Sequence, residues 1–402
     1  MAGASSLDAA KAAQNDEFYT QYSDIEAEMN AYVEYNPDVF RDKTILLPCD
    51  DPEWSNFTKY FAANFERFGL KKLISTSYAQ GVANKQLTLF EQESPLFDAD
   101  KHDTHGKVFT LTHDADGSGA VDSDDLEFSG YLDGDGDFRS REVCELRDEA
   151  DVVITNPPFS LFREFLTWIL SAGKQFVIIG SKNAISYKEV FPLLMDNVIW
   201  LGPGFPGGNA YFRITPENVR EFASGVYDET SGLVKFRNVG WYTNIDHGGR
   251  HEPLLLDTMA HNLKFNKKLL KKLDREFGVN EYPRYDNYDA LEVPFTESIP
   301  SDYDGVMGVP ITFMDQYNPD QFRIIGIAKR GAGDPALKTR EYPRQIQIDR
   351  KGKRSTVTKL NDGPAIKVSE QPANKTCYVV DDELFVQTYA RVLIEPKKAG
   401  DE

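Results

Sequence analysis

The fold of this chain is constrained most by short apolar segments that alternate with segments of helical spacing. Amphipathic helix patterns occur at residues 54–69, 160–173 and 187–197, and further helices are predicted at 16–35 and 253–278. Nearly continuous apolar strands are typical of parallel sheets covered by helices, so the sequence predicts an α/β fold. The apolar segments are KTILLP (43–48), KKLISTSY (71–78), ADVVITN (150–156), KQFVIIGS (174–181) and VIWLG (198–202).

Length and composition indicate a folded protein of more than one domain. The chain has 402 residues, of which 41% are hydrophobic, enough for a sizeable core. Its apolar runs are too short to span a membrane, and its N-terminus lacks the apolar centre of a signal peptide. We therefore expect a cytoplasmic protein. Cys49, Cys144 and Cys377 lie far apart without a CxxC pair, so we expect unbridged thiols.

The charge of the chain is strongly acidic but unevenly distributed. The net formal charge is −19, which argues against a nucleic-acid partner because phosphate repels carboxylates. Residues 91–151, however, hold 19 acidic and 5 basic side chains, and residues 329–359 hold 10 basic and 3 acidic ones. A basic surface that binds phosphate is therefore compatible with the overall acidity.

The segment VVITNPPF (152–159) combines a predicted strand with an unusual end. Two consecutive prolines stop a strand and stiffen the turn that follows. The Asn156 side chain and the Pro157 carbonyl can together accept both hydrogens of an exocyclic amine, and Phe159 can stack on a planar base. A flipped base is typically held in this way. The alternative is a strand-ending turn with a buried phenylalanine.

Several blocks of the sequence occur in an order that is typical of one enzyme family. Their content and order resemble the EcoRI-type adenine-specific DNA methyltransferases over about residues 15 to 327. The blocks are LLPCDDPEWSNFTKYF (46–61), LDGDGDFRS (132–140), DVVITNPPFSLFREF (151–165), KNAISYKEVFP (182–192), WYTNIDHGGRHE (241–252), YDNYDALEV (285–293) and DYDGVMGVPITFMDQYNPDQF (302–322).

This resemblance implies a fold, a reaction and three regions. The expected fold is the Rossmann-like sheet of S-adenosylmethionine-dependent methyltransferases with a C-terminal appended DNA-recognition region. Residues 1–205 would form the methyltransferase core, with an acidic insertion at about 91–135. Residues 206–327 would add core strands and family-specific recognition elements, and residues 328–402 would form a basic C-terminal extension. The implied reaction transfers a methyl group from S-adenosylmethionine to adenine N6 in DNA.

The resemblance also implies roles for particular residues. Asn156, Pro157, Pro158 and Phe159 match the catalytic motif of the family residue by residue. In DEFYTQ (16–21), Tyr19 and Thr20 would fold over the methionine part of the cofactor. In GDF (136–138), Asp137 would accept a hydrogen bond from the cofactor's adenine amine, with Phe138 as a wall of the site.

Two positions depart from the usual methyltransferase pattern. The turn after the first strand has no glycine, although glycine lets the backbone approach a cofactor closely. Pro48, Cys49 and Asp50 occupy this turn and are the cofactor-binding candidates there. The end of the second strand, ISTSY (74–78), lacks the acidic residue that generally binds the ribose hydroxyls.

A second motif, DADGSGAVDSDD (114–125), has the spacing of a calcium loop. Such a loop needs oxygen ligands at positions 1, 3, 5, 7, 9 and 12 and a glycine at position 6. Asp114, Asp116, Ser118, Asp122 and Asp125 fill five positions, as in dockerin-type modules, which this loop resembles. The alternative is a solvated acidic surface loop without a metal, and the sequence leaves both open.

Three functions remain compatible with the sequence. The first is a site-specific DNA adenine N6-methyltransferase, of restriction-modification or orphan type, that acts as a monomer on double-stranded DNA and that a cognate restriction endonuclease could accompany. The second is an RNA or protein-glutamine methyltransferase, although those groups more often carry tyrosine where Phe159 stands. The third is a non-catalytic DNA-binding relative, which the missing glycines would favour.

Overall fold

The computed structural model describes residues 19–48, 50, 55–79, 94–205, 208–213, 225–331 and 337–398. Cys49 and the first part of the helix predicted at 16–35 lie outside these ranges. The described residues form two compact units. Unit 1 runs up to Lys182 and from Trp200 to Gly248, and unit 2 comprises Asn183–Ile199 and everything from Gly249 onward. No helix within the described ranges is long and apolar enough to cross a membrane.

The helices and strands of unit 1 follow the predicted alternation. Its helices are α1 (Tyr22–Tyr35), α2 (Asn56–Ala63), α3 (Phe65–Phe68), α4 (Arg141–Glu149) and α5 (Phe162–Ser171). Its strands are β1 (Tyr19–Thr20), β2 (Thr44–Leu47), β3 (Lys72–Thr76), β4 (Lys107–Leu111), β5 (Glu127–Tyr131), β6 (Val152–Thr155), β7 (Gln175–Ser181), β8 (Trp200–Leu201), β9 (Ala210–Arg213), β10 (Tyr227–Asp228), β11 (Leu233–Phe236) and β12 (Val239–Thr243).

Eight of these strands form one mixed sheet in the order β5-β4-β3-β2-β6-β7-β12-β8. The four central strands β3, β2, β6 and β7 are parallel, whereas β4, β5 and β12 pair with their neighbours in antiparallel fashion. All residues of β2 and β6 are buried, as expected for continuous apolar strands. The predicted α/β class is therefore confirmed as a mixed α/β fold with one large sheet.

Two predicted helices are divided or shortened in unit 1. The helix predicted at 16–35 begins only at Tyr22, because Tyr19 and Thr20 extend as β1 and pair with β9. The helix predicted at 54–69 is interrupted at Asn64, so α2 and α3 are separate. The Ser55 hydroxyl caps α2 by accepting hydrogen bonds from the backbone of Phe57 and Thr58.

Unit 2 contains the remaining elements. Its helices are α6 (Phe191–Met195), α7 (Met259–Phe265) and α8 (Lys267–Phe277). Its strands are β13 (Leu291–Glu292), β14 (Met307–Pro310), β15 (Phe322–Ala328), β16 (Gln345–Ile348), β17 (Arg354–Val357), β18 (Ala365–Val368), β19 (Cys377–Val380), β20 (Glu383–Gln387) and β21 (Arg391–Pro396). They form two sheets, β13-β14-β21-β15 and β17-β16-β19-β20-β18.

Strand pairing in the two units joins segments from different parts of the chain. The last strand, β21, lies between β14 and β15 and pairs with both. A strand from residues 328–402 therefore belongs to the same sheet as two strands from residues 307–328. Part of the expected acidic insertion forms the β4-β5 hairpin, which extends the large sheet of unit 1. Compactness follows spatial pairing rather than chain order, and this pairing joins segments that are far apart in sequence.

Candidate active site

The Asn-Pro-Pro-Phe turn lies where the order of the parallel strands reverses. From β2 the chain moves outward to β3, and from β6 it moves outward in the other direction to β7. The carboxyl ends of β2 and β6 are therefore neighbours at a topological switch point, where open α/β sheets bind ligands. Asn156 directly follows β6 and is half-buried, and the chain enters α5 at Phe162.

The turn is held rigidly by its neighbours. Pro157 is buried, and the backbone N–H of Leu161 donates to the Pro158 carbonyl at 2.9 Å. The half-buried Phe159 ring packs edge-on against Phe212 of β9 and Phe236 of β11, with centroid distances of 6.5 and 6.1 Å. These contacts fix the plane of the ring that the sequence assigns to base stacking.

A carboxylate joins the carboxyl ends of β2 and β6 to the start of α2. The Thr155 hydroxyl, the last residue of β6, lies 2.7 Å from Asp50 Oδ2 and 2.9 Å from the Pro48 carbonyl oxygen. The Ser55 hydroxyl donates to Asp50 Oδ1 at 2.9 Å, and the Ser75 hydroxyl of β3 donates to the Asp50 carbonyl. The turn that lacks glycine is thus built from hydrogen bonds between three strand ends and a helix.

The N-terminal strand β1 reaches the same region. Thr20 pairs with Phe212 across β1 and β9, and the Asn56 side chain at the start of α2 donates to the Thr20 carbonyl at 2.7 Å. Thr20 is 3% exposed, and its hydroxyl oxygen has no hydrogen-bond partner among the residues that the structure describes. A buried hydroxyl without a partner costs free energy, so this atom points to a polar ligand. Tyr19 is half-buried beside it.

The predicted adenine-binding pair lies in the loop between β5 and α4. Phe138 is buried and packs edge-on against Phe165 and Trp168 of α5, so it is part of the core. The Asp137 carboxylate accepts two hydrogen bonds from the Arg139 guanidinium, at 2.9 and 2.6 Å. Burial would raise the pKa of Asp137, but the hydrogen bonds and charge of Arg139 outweigh it and lower that pKa.

The same loop carries Asp135 to the carboxyl end of β3. The Ala79 backbone donates to the Asp135 carbonyl at 2.7 Å, and the Tyr78 hydroxyl donates to the Asp135 carboxylate at 3.1 Å. Gly136 has φ +88°, and a Cβ there would lie 2.4 Å from the Ser77 carbonyl oxygen. A glycine is therefore required for this close approach. The segment ISTSY at the end of β3 contains no acidic residue, but Asp135 from this loop places a carboxylate there.

A buried glutamate supports the loop that leads into β9. Glu28 of α1 accepts hydrogen bonds from the Tyr32 hydroxyl at 2.7 Å and the Gly204 backbone at 3.1 Å. A Cβ at Gly202 would overlap the Glu28 carboxylate. Burial raises the pKa of Glu28 to about 8, although hydrogen bonds from Tyr32 and Gly204 act in the opposite direction.

The predicted calcium loop brings three of its candidate ligands together. Carboxylate oxygens of Asp114, Asp116 and Asp125 lie within 4.8 Å of one another. Asp114 accepts hydrogen bonds from the backbone of residues 117–119, which lower its pKa, and Asp125 accepts them from residues 115, 116 and 122. The Ser118 backbone also donates to Asp116 at 2.8 Å, so the loop's own backbone donates hydrogen bonds to all three carboxylates. A calcium site and a metal-free acidic loop are both compatible with this arrangement.

Sequence reasoning predicted the turn but missed most of its supporting residues. Asp50 was a candidate because of its position, whereas Ser55, Ser75, Thr155 and Asn56 were not singled out. One signal was present, since the apolar runs of β3 and β6 both end in hydroxyl residues. Asp135 carried no signal, because its position depends on how the loop folds back onto β3.

Comparison with known proteins identifies the family of this chain. The family described as "Adenine-specific methyltransferase EcoRI" matches residues 6–397. Type II methyltransferase M.EcoRI of Escherichia coli is 42% identical over 328 residues, which are 80% of this chain and 89% of that protein. Type II methyltransferases M.MgeORF184P of Mycoplasma genitalium and M.MpnI of Mycoplasma pneumoniae are 32% and 31% identical, over 85% and 87% of this chain and 92% and 95% of their own lengths. No solved structure matches the chain.

The mixed α/β fold fits a methyltransferase, and the family match along nearly the whole chain identifies this class of enzyme. The chain belongs to the EcoRI adenine-specific methyltransferase family, and it is a site-specific DNA methyltransferase. The RNA, protein-glutamine and non-catalytic alternatives are not favoured.

Proposed function

We propose that this protein transfers a methyl group from S-adenosylmethionine to N6 of an adenine that is flipped out of double-stranded DNA. One observation carries the proposal. Residues 156–159 follow a buried central strand at the switch point of the sheet, and Thr155 ties this turn to Asp50 at the end of the neighbouring strand. Four parallel strands with helices between them also support a Rossmann-like methyltransferase sheet.

The roles of the turn follow from the chemistry of the amine. The lone pair of an exocyclic amine is delocalised into the base, which makes the nitrogen a weak nucleophile. Asn156 and the Pro157 carbonyl accept hydrogen bonds from its two N–H groups and raise its electron density. Phe159 stacks on the base, and Pro158 keeps the turn rigid. As the new C–N bond formed, the methyl C–S bond of the donor would break, its electron pair would stay on the sulfur, and the amine would release one proton to solvent.

The residues near the turn fit S-adenosylmethionine. This cofactor supplies a methyl group bonded to a positively charged sulfur, which makes the methyl carbon electrophilic. The buried Thr20 hydroxyl, which has no hydrogen-bond partner among the described residues, fits a polar group of the cofactor, with Tyr19 beside it. The cofactor is proposed to bind at the end of β2, next to Pro48, Cys49 and Asp50. Asp137 is proposed to accept from its adenine amine, with Phe138 supporting the loop.

The C-terminal region is proposed to contact DNA. The β16-β17 hairpin of unit 2 exposes Arg350, Lys351, Lys353 and Arg354, which form no ion pair with any residue that the structure describes. Each phosphate that they neutralise should contribute about −0.9 to the slope of log K against log salt concentration. Reversing the four charges should therefore flatten this slope. An unchanged slope would mean that the hairpin does not touch DNA.

The biological setting remains part of the proposal. The curated relatives carry the description Type II methyltransferase. We propose that this chain acts as a monomer in the cytoplasm, where its DNA substrate lies, either with a cognate restriction endonuclease or as an orphan enzyme. The proposed regions are residues 1–205 for catalysis, 206–327 for further core strands and recognition, and 328–402 for basic contacts.

Modified-base sequencing of DNA from cells that express the protein tests the function. The expected result is N6-methyladenine at one short sequence, and its absence from DNA of cells that express Asn156→Ala at the same level. Modification of another base, or equal adenine methylation with both proteins, would contradict the proposal.

A further inference from the structure

The small sheet β1-β9-β11-β10 of unit 1 has two unlike faces. Side chains alternate along each strand, so Phe212 and Val234 point to one face and are buried. Tyr211 and Arg213 lie on the opposite face of β9, where Tyr211 is 39% exposed, and the register places Lys235 of β11 directly opposite Tyr211. We call the face that carries Tyr211, Arg213 and Lys235 the outer face.

The buried face of this sheet is fixed to the candidate active site. Phe159 packs against Phe212 and Phe236, and Thr20 pairs with Phe212 through the backbone. Tyr211 and Arg213 are the sequence neighbours of Phe212 in β9. The outer face is therefore separated from the proposed base-stacking ring by the thickness of one strand layer, within the same unit.

The cations of the outer face have no carboxylate partner among the residues that the structure describes. Unit 1 is rich in acidic residues, and surface cations such as Arg139 and Arg141 pair with carboxylates at 2.6 and 2.7 Å. Arg213, Lys235 and the exposed Arg237, which directly follows β11, form no ion pair within the described part of the chain. The Lys235 ammonium instead lies 5.5 Å from the centre of the Tyr211 ring.

We propose that the outer face binds the phosphate backbone of the DNA next to the flipped adenine. This inference rests on the proposed function and adds a DNA-contacting surface in unit 1 to it. Cations beside an aromatic ring, without an ion pair to any described residue, fit a polyanion, and a chain with a net charge of −19 needs local positive charge for this contact. Contacts to phosphate position a duplex without reading its sequence. The face therefore sets affinity and register, and base recognition is left to other residues.

The test compares two charge-neutralised variants. The triple variant Arg213→Gln, Lys235→Gln, Arg237→Gln is measured by fluorescence anisotropy against a labelled duplex that contains the mapped site, at several salt concentrations. The slope of log K against log salt should flatten by about 0.9 for each phosphate contact that is lost. Arg141→Gln, which removes an exposed cation paired with Glu145, should leave the slope unchanged.

Turnover provides a second readout that a structural defect would not reproduce. At saturating DNA the triple variant should methylate at the wild-type rate, with a raised KM for DNA and an unchanged melting temperature. A salt slope and KM equal to those of the wild type would overturn the proposal. Because binding is measured without turnover, a wild-type protein that binds DNA but does not methylate adenine would contradict the proposed function alone.

Discussion

Two carboxylates of unit 1 each accept more than one hydrogen bond. The donors are nearby backbone groups for Asp114, and side-chain hydroxyl groups, one of them distant in sequence, for Asp50. Asp114 in the acidic loop accepts from backbone groups three to five residues further along the chain. Asp50 accepts from hydroxyl groups of Ser55, five residues away, and of Thr155, 105 residues away. The first carboxylate shapes its own loop, whereas the second holds distant strand ends together. We infer that the second arrangement serves the reaction.

The largest expected difference between the two carboxylates is in the rate of methyl transfer, and it is tested by replacing each of them with alanine. Asp50→Ala should reduce the single-turnover rate roughly 100-fold, because misplacing reacting groups by about 1 Å can cost that much. Asp114→Ala should leave the rate within about 2-fold, because its partners are local. The rates are measured on a methyl-acceptor duplex. Equal rates for the two variants would show that Asp50 is no more important for the reaction than Asp114.

A smaller effect is expected at the other end of the same interaction. Thr155→Val keeps the shape of the side chain but removes the hydroxyl that lies 2.7 Å from Asp50. The loss of one such hydrogen bond is worth about 1.4 kcal/mol, or about 10-fold in rate. Thr155→Ser retains the hydroxyl and should keep most of the activity. If valine and serine behave alike, the hydroxyl does not position the turn.

The smallest effect concerns the stability of the protein and a third carboxyl group, Glu28, whose pKa is raised mainly by burial. The folded pKa of Glu28 is raised to about 8 from an ordinary value of 4.5. Between these values the unfolded chain is ionised and the folded chain keeps the proton, so the free energy of unfolding falls as pH rises. Glu28→Gln should flatten this decline by up to about 1.4 kcal/mol per pH unit.

Urea unfolding between pH 5 and pH 8 measures this slope. The exposed Glu26 on the same helix provides the matched control, because Glu26→Gln should leave the slope of the wild type in place. A wild-type slope in Glu28→Gln would show that Glu28 is ionised in the folded protein at neutral pH.

The sequence predicts those parts of the molecule whose signals are local. The central strands were predictable because their apolar runs are continuous, and the Asn-Pro-Pro-Phe turn because proline ends a strand. The acidic loop was recognisable because all its partners lie within about ten residues. Asp114 and Asp125 therefore accept hydrogen bonds from residues that lie close to them in sequence.

The remaining parts depend on pairings between distant segments. Tyr19 and Thr20 have helical spacing with the residues that follow, yet they extend because they pair with Arg213 and Phe212. The link between Asp50 and Thr155 and the position of β21 between β14 and β15 have the same origin. Periodicity describes which face of an element is buried, but it does not identify the partner that covers it.

Asn156, at the end of β6, is proposed to activate the target amine. The most direct test of this proposal is the single-turnover rate of methyl transfer for Asn156→Ala at saturating DNA and cofactor, with DNA affinity measured in parallel. We expect a rate at least about 100-fold below that of the wild type, because an acceptor used in the transition state is lost, with unchanged DNA affinity. A rate close to the wild type would contradict it.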